Sequence, residues 1–347
     1  MFVKERLIFC MNKKRLFLYF VLYFLLNNDS FSQYLDYSQY YSSPLSLNPA
    51  LTGVGEYGRF GIIYRNQWPS ISNGYQTFSS WLDYNFDQNN NNLGLIISRQ
   101  KEGYVGLNSN SIGINFANEI LLNSNLVIRG GVQFSYNNKN ISFNNLVFGD
   151  QLSEAGIIND ITLESLSFKD RVSFFDLGIG MITYSNKFWV GGSVFNILEP
   201  NISFIGLQES LPKLFSFHGG YSFDLGNANR SKKTYLTPSI NYRRLKKFNQ
   251  LDIGSHIFFN PISLGFYYRG IPLIKYDNII SHESLIILIG LKYDVIDISY
   301  TYDYTISQLN NFSGGSHEIS IIYRFNFLGK KLPPKEVRIL SCPIPNF

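Results

Sequence analysis

Only 16% of the 347 residues are charged and another 16% are aromatic, with 24 Tyr and 30 Phe, at a formal net charge of +5. Soluble domains carry about 25% charged residues, so with a mean hydropathy of -0.05 the chain is charge-poor without being uniformly apolar. That argues against an ordinary soluble domain and suits one large membrane barrel, apolar outside and polar within.

The first 32 residues read as a secretory signal, with basic Lys13 to Arg15, an apolar stretch Leu16 to Leu26, and small Ser30 and Ser32 before a cleavage expected after Ser32. The apolar stretch is too short to span a bilayer. Met11 suits as a start better than Met1, because it puts the charges at the terminus. This segment holds Lys4, Arg6, Lys13, Lys14 and Arg15 against Glu5 and Asp29, leaving 25 basic and 23 acidic residues, about +2, in the remainder. The basic balance thus belongs mostly to targeting, and no basic patch with interleaved aromatics predicts nucleic-acid binding. Cys10 falls in the segment and makes no lipobox, because Ile8 and Phe9 are too large and the apolar core follows it. Cys342 then stands without an internal disulfide partner, as a free thiol or an intermolecular one.

Residues 33–56 are expected to be a periplasmic segment. An up-and-down antiparallel transmembrane β-barrel of about fourteen strands is expected over 57–327. The strands run roughly over 57–66, 76–87, 93–101, 110–121, 125–138, 172–185, 187–196, 215–225, 234–244, 249–259, 262–269, 285–293, 296–304 and 316–327. The apolar run Leu285 to Leu291 is too short for a membrane helix, so any crossing must be by strands of about 9–11 residues. Period-two alternation marks them: Ile296, Ile298, Tyr300, Tyr302 and Tyr304 against Asp297, Ser299, Thr301, Asp303 and Thr305. Soluble sandwiches alternate too, but Tyr and Phe collect near strand ends on the apolar face, as an aromatic girdle requires.

The connections sort by parity. Those after even-numbered strands are short (88–92, 123–125, 185–186, 227–233, 260–261, 294–295); those after odd-numbered strands are long (67–75, 102–109, 139–171, 197–214, 270–284, 305–315), except near Leu245 to Lys247. Short periplasmic turns and long outer loops produce this pattern. Closure follows because an open sheet edge in hydrocarbon would leave backbone groups unsatisfied. Arg59, Arg65, Asp83, Arg129, Asp176, Arg243, Asp252, Asp297, Asp303, Glu318 and Arg324 should then point inward and pair. The 139–171 connection is expected to plug the lumen or to dock a partner. In Ser316 to Phe327, His317, Ile319, Ile321, Tyr323 and Phe325 should face lipid, and Ser316, Glu318, Ser320, Arg324 and Asn326 the lumen.

Catalytic signatures are missing. The chain has four histidines, His218, His256, His282 and His317, and no H-E-x-x-H, G-x-S-x-G, paired cysteines, phosphate loop or metal-binding spacing. No enzyme activity, cofactor or metal is expected.

Several stretches resemble one family, the PorP/SprF membrane proteins of the type IX secretion system of Bacteroidetes. SQYYSSPLSLNPALTG resembles its opening, followed by YRNQWP at Tyr64 to Pro69; FDLGIGMITYSNKFWVGGSVFNILEP (Phe175 to Pro200) is similar to its FDxGxG strand and the hairpin after it. YDYTISQLNNFSGGSHEISIIYRF (Tyr302 to Phe325) resembles its ending, and CPIPNF its short tail. Ala50 is followed by Leu51-Thr52 where Tyr/Phe-Ala is common. The resemblance implies a non-enzymatic outer-membrane barrel in protein secretion or gliding motility. Its implied partners are secreted surface proteins, other type IX components and periplasmic peptidoglycan-binding or motor-linked proteins. Candidate docking residues on the matched motifs are Asn48, Pro49, Arg65, Asn66, Gln67, Trp68, His317, Glu318, Cys342 and Phe347; their alternative roles are structural, Pro49 in a turn, Trp68 at the interface and Glu318 paired in the lumen. Residues 328–347 extend past the strand where ordinary barrels stop, and are expected to form a periplasmic docking tail. A diffusion channel or small-molecule transporter is the competing function.

Overall fold

The computed structural model describes residues 37–55, 58–71, 74–86, 91–103, 106–141, 149–153, 156–157, 169–226, 234–276, 279–307, 310–326 and 342–344. The signal segment and Phe347 lie outside them, as does most of the 139–171 connection and of the 328–347 tail. Fourteen strands form the wall: β1 Gly58–Gln67, β2 Tyr75–Phe86, β3 Asn91–Glu102, β4 Leu107–Asn123, β5 Leu126–Asn140, β6 Arg171–Tyr184, β7 Phe188–Phe195, β8 Leu214–Tyr221 (continued by Phe223–Asp224), β9 Thr234–Leu245, β10 Phe248–Phe259, β11 Ile262–Tyr276, β12 Ile279–Tyr293, β13 Ile296–Thr305 and β14 Ser316–Phe325.

Every strand pairs antiparallel with its neighbours in sequence, and β1 pairs with β14 from Gly58↔Phe325 to Gln67↔Ser316, which closes the ring. Closure leaves no edge with unpaired N–H and C=O groups.

Side chains alternate across this wall as the period of two requires. On β14, Glu318 is 0% exposed while its neighbour Ile319 is 47% exposed. Arg59, Ile63 and Arg65 of β1 point into the lumen, and Phe60 and Tyr64 outward. Outward aromatics cluster near both rims: Tyr84 with Phe86 and Phe325 at one end, Tyr136 with Phe175 at the other. These are the paired girdles of a membrane barrel.

The β11–β12 hairpin runs further than the alternation indicates. The 270–284 connection, expected as a loop, is largely paired strand, with Gly270↔His282 and Ile271↔Ser281 bracketed by two register shifts and pairing resuming at Lys275↔Ile280. Gly270 at φ 146° and Pro272 break the alternation that marks a strand. Backbone pairing nevertheless resumes past the irregularity, as bulges permit.

The segment expected in the periplasm is inside the barrel. Over its described part, 37–55, the chain makes a 3-10 turn Tyr40–Ser42, one helical turn Pro44–Leu47 and a second 3-10 turn Pro49–Leu51, nearly all of it buried. It fills the lumen in the place the 139–171 connection was expected to take. Residues 37–55 contain no charged side chain, and their tyrosines and leucines supply the apolar filling that the polar wall lacks. Leu45 packs with Trp81, Ile96 and Ile322. Tyr40, Tyr41, Leu47, Ala50 and Leu51 join Val127, Ile182, Tyr184, Trp189, Tyr267, Ile286 and Leu288 in a second cluster.

Candidate functional site in the barrel lumen

An irregular segment held away from water must find partners for its backbone groups. Here the wall provides them, level by level. At the end carrying the long connections, the Glu318 carboxylate accepts from the backbone N–H of Ser38 (2.9 Å) and Gln39 (2.8 Å). Midway, Trp81 Nε1 donates to the Ser42 carbonyl (2.9 Å) and Ser193 Oγ to the Leu47 carbonyl (2.7 Å). At the end with the short turns, Arg129 donates to the carbonyls of Ala50 and Thr52, Arg59 to that of Leu51 (3.2 Å), and Asp83 accepts from Gly53 N–H (2.7 Å). Asn85 Nδ2 donates to the Gly55 carbonyl (2.9 Å), just before β1 begins.

The segment therefore climbs the lumen backwards, with Tyr37 near the rim of long connections and Gly55 at the opposite rim. At the upper level, Tyr40 Oη lies 2.8 Å from Ser239 Oγ, and the Tyr40 and Tyr41 rings meet that of Tyr267 edge-on or tilted.

The charged groups that hold the segment are also paired with one another. Arg59 meets Asp83 (2.5 Å), and Arg65 bridges Asp303 (2.9 Å) and Glu318 (3.0 Å). Arg129 pairs with Glu119, and Arg269 with Asp252 (2.7 Å). Buried charges require such pairing, because their desolvation is expensive. The Arg59, Arg65 and Arg129 pairs also hydrogen-bond the uncharged segment; Ser38 Oγ, for example, sits between Asp303 Oδ2 (2.6 Å) and Arg65 Nη1 (2.6 Å).

Asn48 is the most elaborately held residue. Its side-chain oxygen accepts from Ala50 N–H (2.9 Å), capping the Pro49–Leu51 turn. Its amide nitrogen donates to the carbonyls of Met181 (3.0 Å) and Gly192 (3.1 Å) and lies 3.2 Å from His218 Nε2. An amide fits this position because one end must accept and the other must donate. Pro49 and Ala50 rest on Gly131, where a Cβ would run into their backbone.

The sequence-selected residues separate into three groups. Asn48, Pro49, Arg65 and Glu318 all lie in the lumen, Arg65 beside Glu318 and Asn48 beside His218. Gln67 and Trp68 stand at the rim, where Trp68 N–H donates to the Gly315 carbonyl (2.8 Å) and its ring meets Tyr75 edge-on. Asn66 and His317 are register partners on the outward face, and His317 Nδ1 lies 2.7 Å from Tyr300 Oη. His317 and Glu318, adjacent in sequence, thus serve opposite sides of the wall. Cys342 and Ile344 are buried in the cluster that holds Val127, Tyr184, Trp189 and Leu51, so this part of the tail, expected outside the barrel, returns to its core near the short-turn rim. Burial pushes the Cys342 thiol up to about 12.

Sequence reasoning missed Ser38 and Gln39 as anchored residues of the segment, and Trp81 and His218 as residues that hold it. For Ser38 and Gln39 the signal was the run of small, aromatic and proline residues ahead of the first strand. Among the described residues no group of three His, Cys, Asp or Glu is placed to hold a metal ion.

A family model described as type IX secretion system membrane protein PorP/SprF matches residues 29–323. A search of curated proteins returns no match. Among solved structures, the outer membrane protein Omp33 of Acinetobacter baumannii is similar at 8% identity and a TM-score of 0.43, over 78% of this chain and 100% of that one. A TodX monoaromatic hydrocarbon channel mutant is similar at 11% identity and a TM-score of 0.48, over 82% and 94%.

Proposed function

The chain belongs to the PorP/SprF family of type IX secretion system membrane proteins, and from that premise we propose that it is a non-enzymatic outer-membrane component of the type IX secretion and gliding machinery. It docks secreted surface proteins at the rim of long connections and links to periplasmic partners, peptidoglycan-binding or motor-linked, at the other. The observation that carries this reading is the filled lumen. A pore for small solutes needs a water-filled passage, whereas here the protein's own residues 37–55 occupy the interior. A barrel whose lumen is filled by its own described residues serves best as a platform.

The tail supports the same reading. Lys330, Lys331, Lys335 and Arg338 stand against Glu336 between the last strand and the buried Cys342 to Ile344. We propose this basic stretch as the element that docks a periplasmic partner.

The test is a deletion strain compared with its parent for secreted surface proteins and for small-solute uptake. Lost surface proteins with normal uptake support the platform; lost uptake with normal secretion reverses the assignment in favour of a diffusion channel. Affinity purification from detergent adds a second readout, since a platform should bring secretion components with it.

A further inference from the structure

We propose that the lumen is a peptide-binding site, occupied in the resting protein by residues 37–55 and open to exchange with another uncharged polypeptide segment. This goes beyond the secretion role and does not depend on it.

Three observations carry it. First, the wall reads its occupant largely through main-chain atoms. Glu318, Trp81, Ser193, Arg129, Arg59 and Asp83 all contact backbone N–H or C=O groups of the segment. Backbone reading tolerates variation in the bound sequence, as strand addition does at sheet edges.

Second, the chemistry of the occupant is set by the wall. The ion pairs Arg59–Asp83, Arg65–Asp303, Arg65–Glu318, Arg129–Glu119 and Arg269–Asp252 are wall-to-wall. A charged ligand would disturb this balance at the expense of a buried unpaired charge, whereas residues 37–55 bring none. Side chains are read in three places: Ser38 and Gln39, held by Arg65, Asp303, Ser299 and Ser320; the Asn48 pocket formed by Met181, Gly192 and His218; and the aromatic pocket around Tyr267. The ligand class is therefore an uncharged segment rich in aromatic and small residues, with an Asn-Pro turn.

Third, the occupant is not part of the wall: Gly55 stands ahead of β1, which begins at Gly58. The strands close their ring with one another, without the segment supplying any strand. The wall's hydrogen-bonded frame is thus complete without its ligand, which is the condition for exchange.

The experiment places a specific protease site between Gly55 and Gly58 in the full chain, refolds the protein, and then cuts it. A fluorescent synthetic peptide of residues 37–55 is added in excess, with barrel integrity followed by heat-dependent gel mobility. The expected result is saturable uptake of the peptide into an intact barrel, with loss of the resident fragment. A peptide carrying Asn48→Ala should bind about tenfold or more weakly, as the loss of hydrogen bonds at a buried amide predicts, and a scrambled peptide should not compete. Should the cut site resist the protease, refolding the chain that starts at Gly58 with the same peptide present gives the equivalent measurement. The proposal is overturned if the fragment leaves only when the barrel unfolds, if the emptied or co-refolded barrel takes up no peptide, or if the scrambled peptide binds equally well.

Discussion

The side-chain oxygen of Asn48 stands where a Cβ on Gly180 would be. One residue lies ahead of the first strand and the other is in β6, yet each is shaped to the other. The bare backbone at Gly180 is the space into which the Asn48 amide fits, and Gly131 makes the same room for Pro49 and Ala50.

Gly180→Ala should therefore dislodge the segment without breaking the wall. The methyl group clashes with a side chain locked by several hydrogen bonds, and overpacking of this kind costs about 1–3 kcal/mol. Limited proteolysis of the folded protein in detergent is the measurement, with cleavage inside residues 37–55 expected to accelerate. Wild-type resistance in the variant would show that the close approach is dispensable.

Arg65→Leu leaves Asp303 and Glu318 buried with a cation removed, and breaking one partner of such a cluster costs about 3–5 kcal/mol. Equilibrium unfolding in detergent should register that loss. Glu318→Gln should do less harm to the wall but free Ser38 and Gln39, since an amide oxygen accepts more weakly than a carboxylate. A drop of under about 1 kcal/mol for Arg65→Leu would mean that water reaches the cluster.

The buried Cys342 thiol should react slowly with maleimide at pH 8 in the folded protein, and Ile344→Asp should speed labelling by undocking the tail. The pH dependence has a definite sign. A folded pKa of about 12 against an ordinary 9.0 means that docking is fully supported below pH 9 and weakens as pH climbs toward 12. Labelling that is fast at pH 8 and indifferent to Ile344→Asp would place the tail outside.

Deleting residues 37–53 should raise the barrel's conductance by emptying the lumen. Planar-bilayer recording is the check, with larger conductance steps expected from the deletion variant. Equal conductance of the full chain would reveal a passage alongside the segment and strengthen the channel reading.

Deleting Gly329 to Phe347 should leave the barrel inserted while secretion or partner capture weakens. Unchanged secretion would make the tail dispensable.

The wall was legible in the sequence because each strand has one lipid face and one lumen face. Alternation such as that of Ile296 to Thr305 states both sides at once, and loop parity then orients the ring. What could not be read was the occupant. Residues 37–55 carry no period, make three single turns, and owe their position to partners as distant as Arg129, Ser193 and Glu318. A segment read through its backbone leaves little trace in its own side chains. The inward charges were visible as a set, but which cation met which anion, and that Ser38 sat between Arg65 and Asp303, followed only from the register. Cys342 was legible as unpaired and illegible as buried, because the core it joins is built from β5, β6 and β7.

Arg65 and Glu318 face each other across the seam between the first and last strands, 253 residues apart in sequence. Among the strand pairings, the one that brings them together closes the longest loop, and it carries the greatest entropic cost. Ser38 is held by both residues. Its site does not exist until the cylinder is sealed, so seating the upper end of the segment doubles as a checkpoint on assembly. A half-built sheet has no place to put Ser38, and a finished one does.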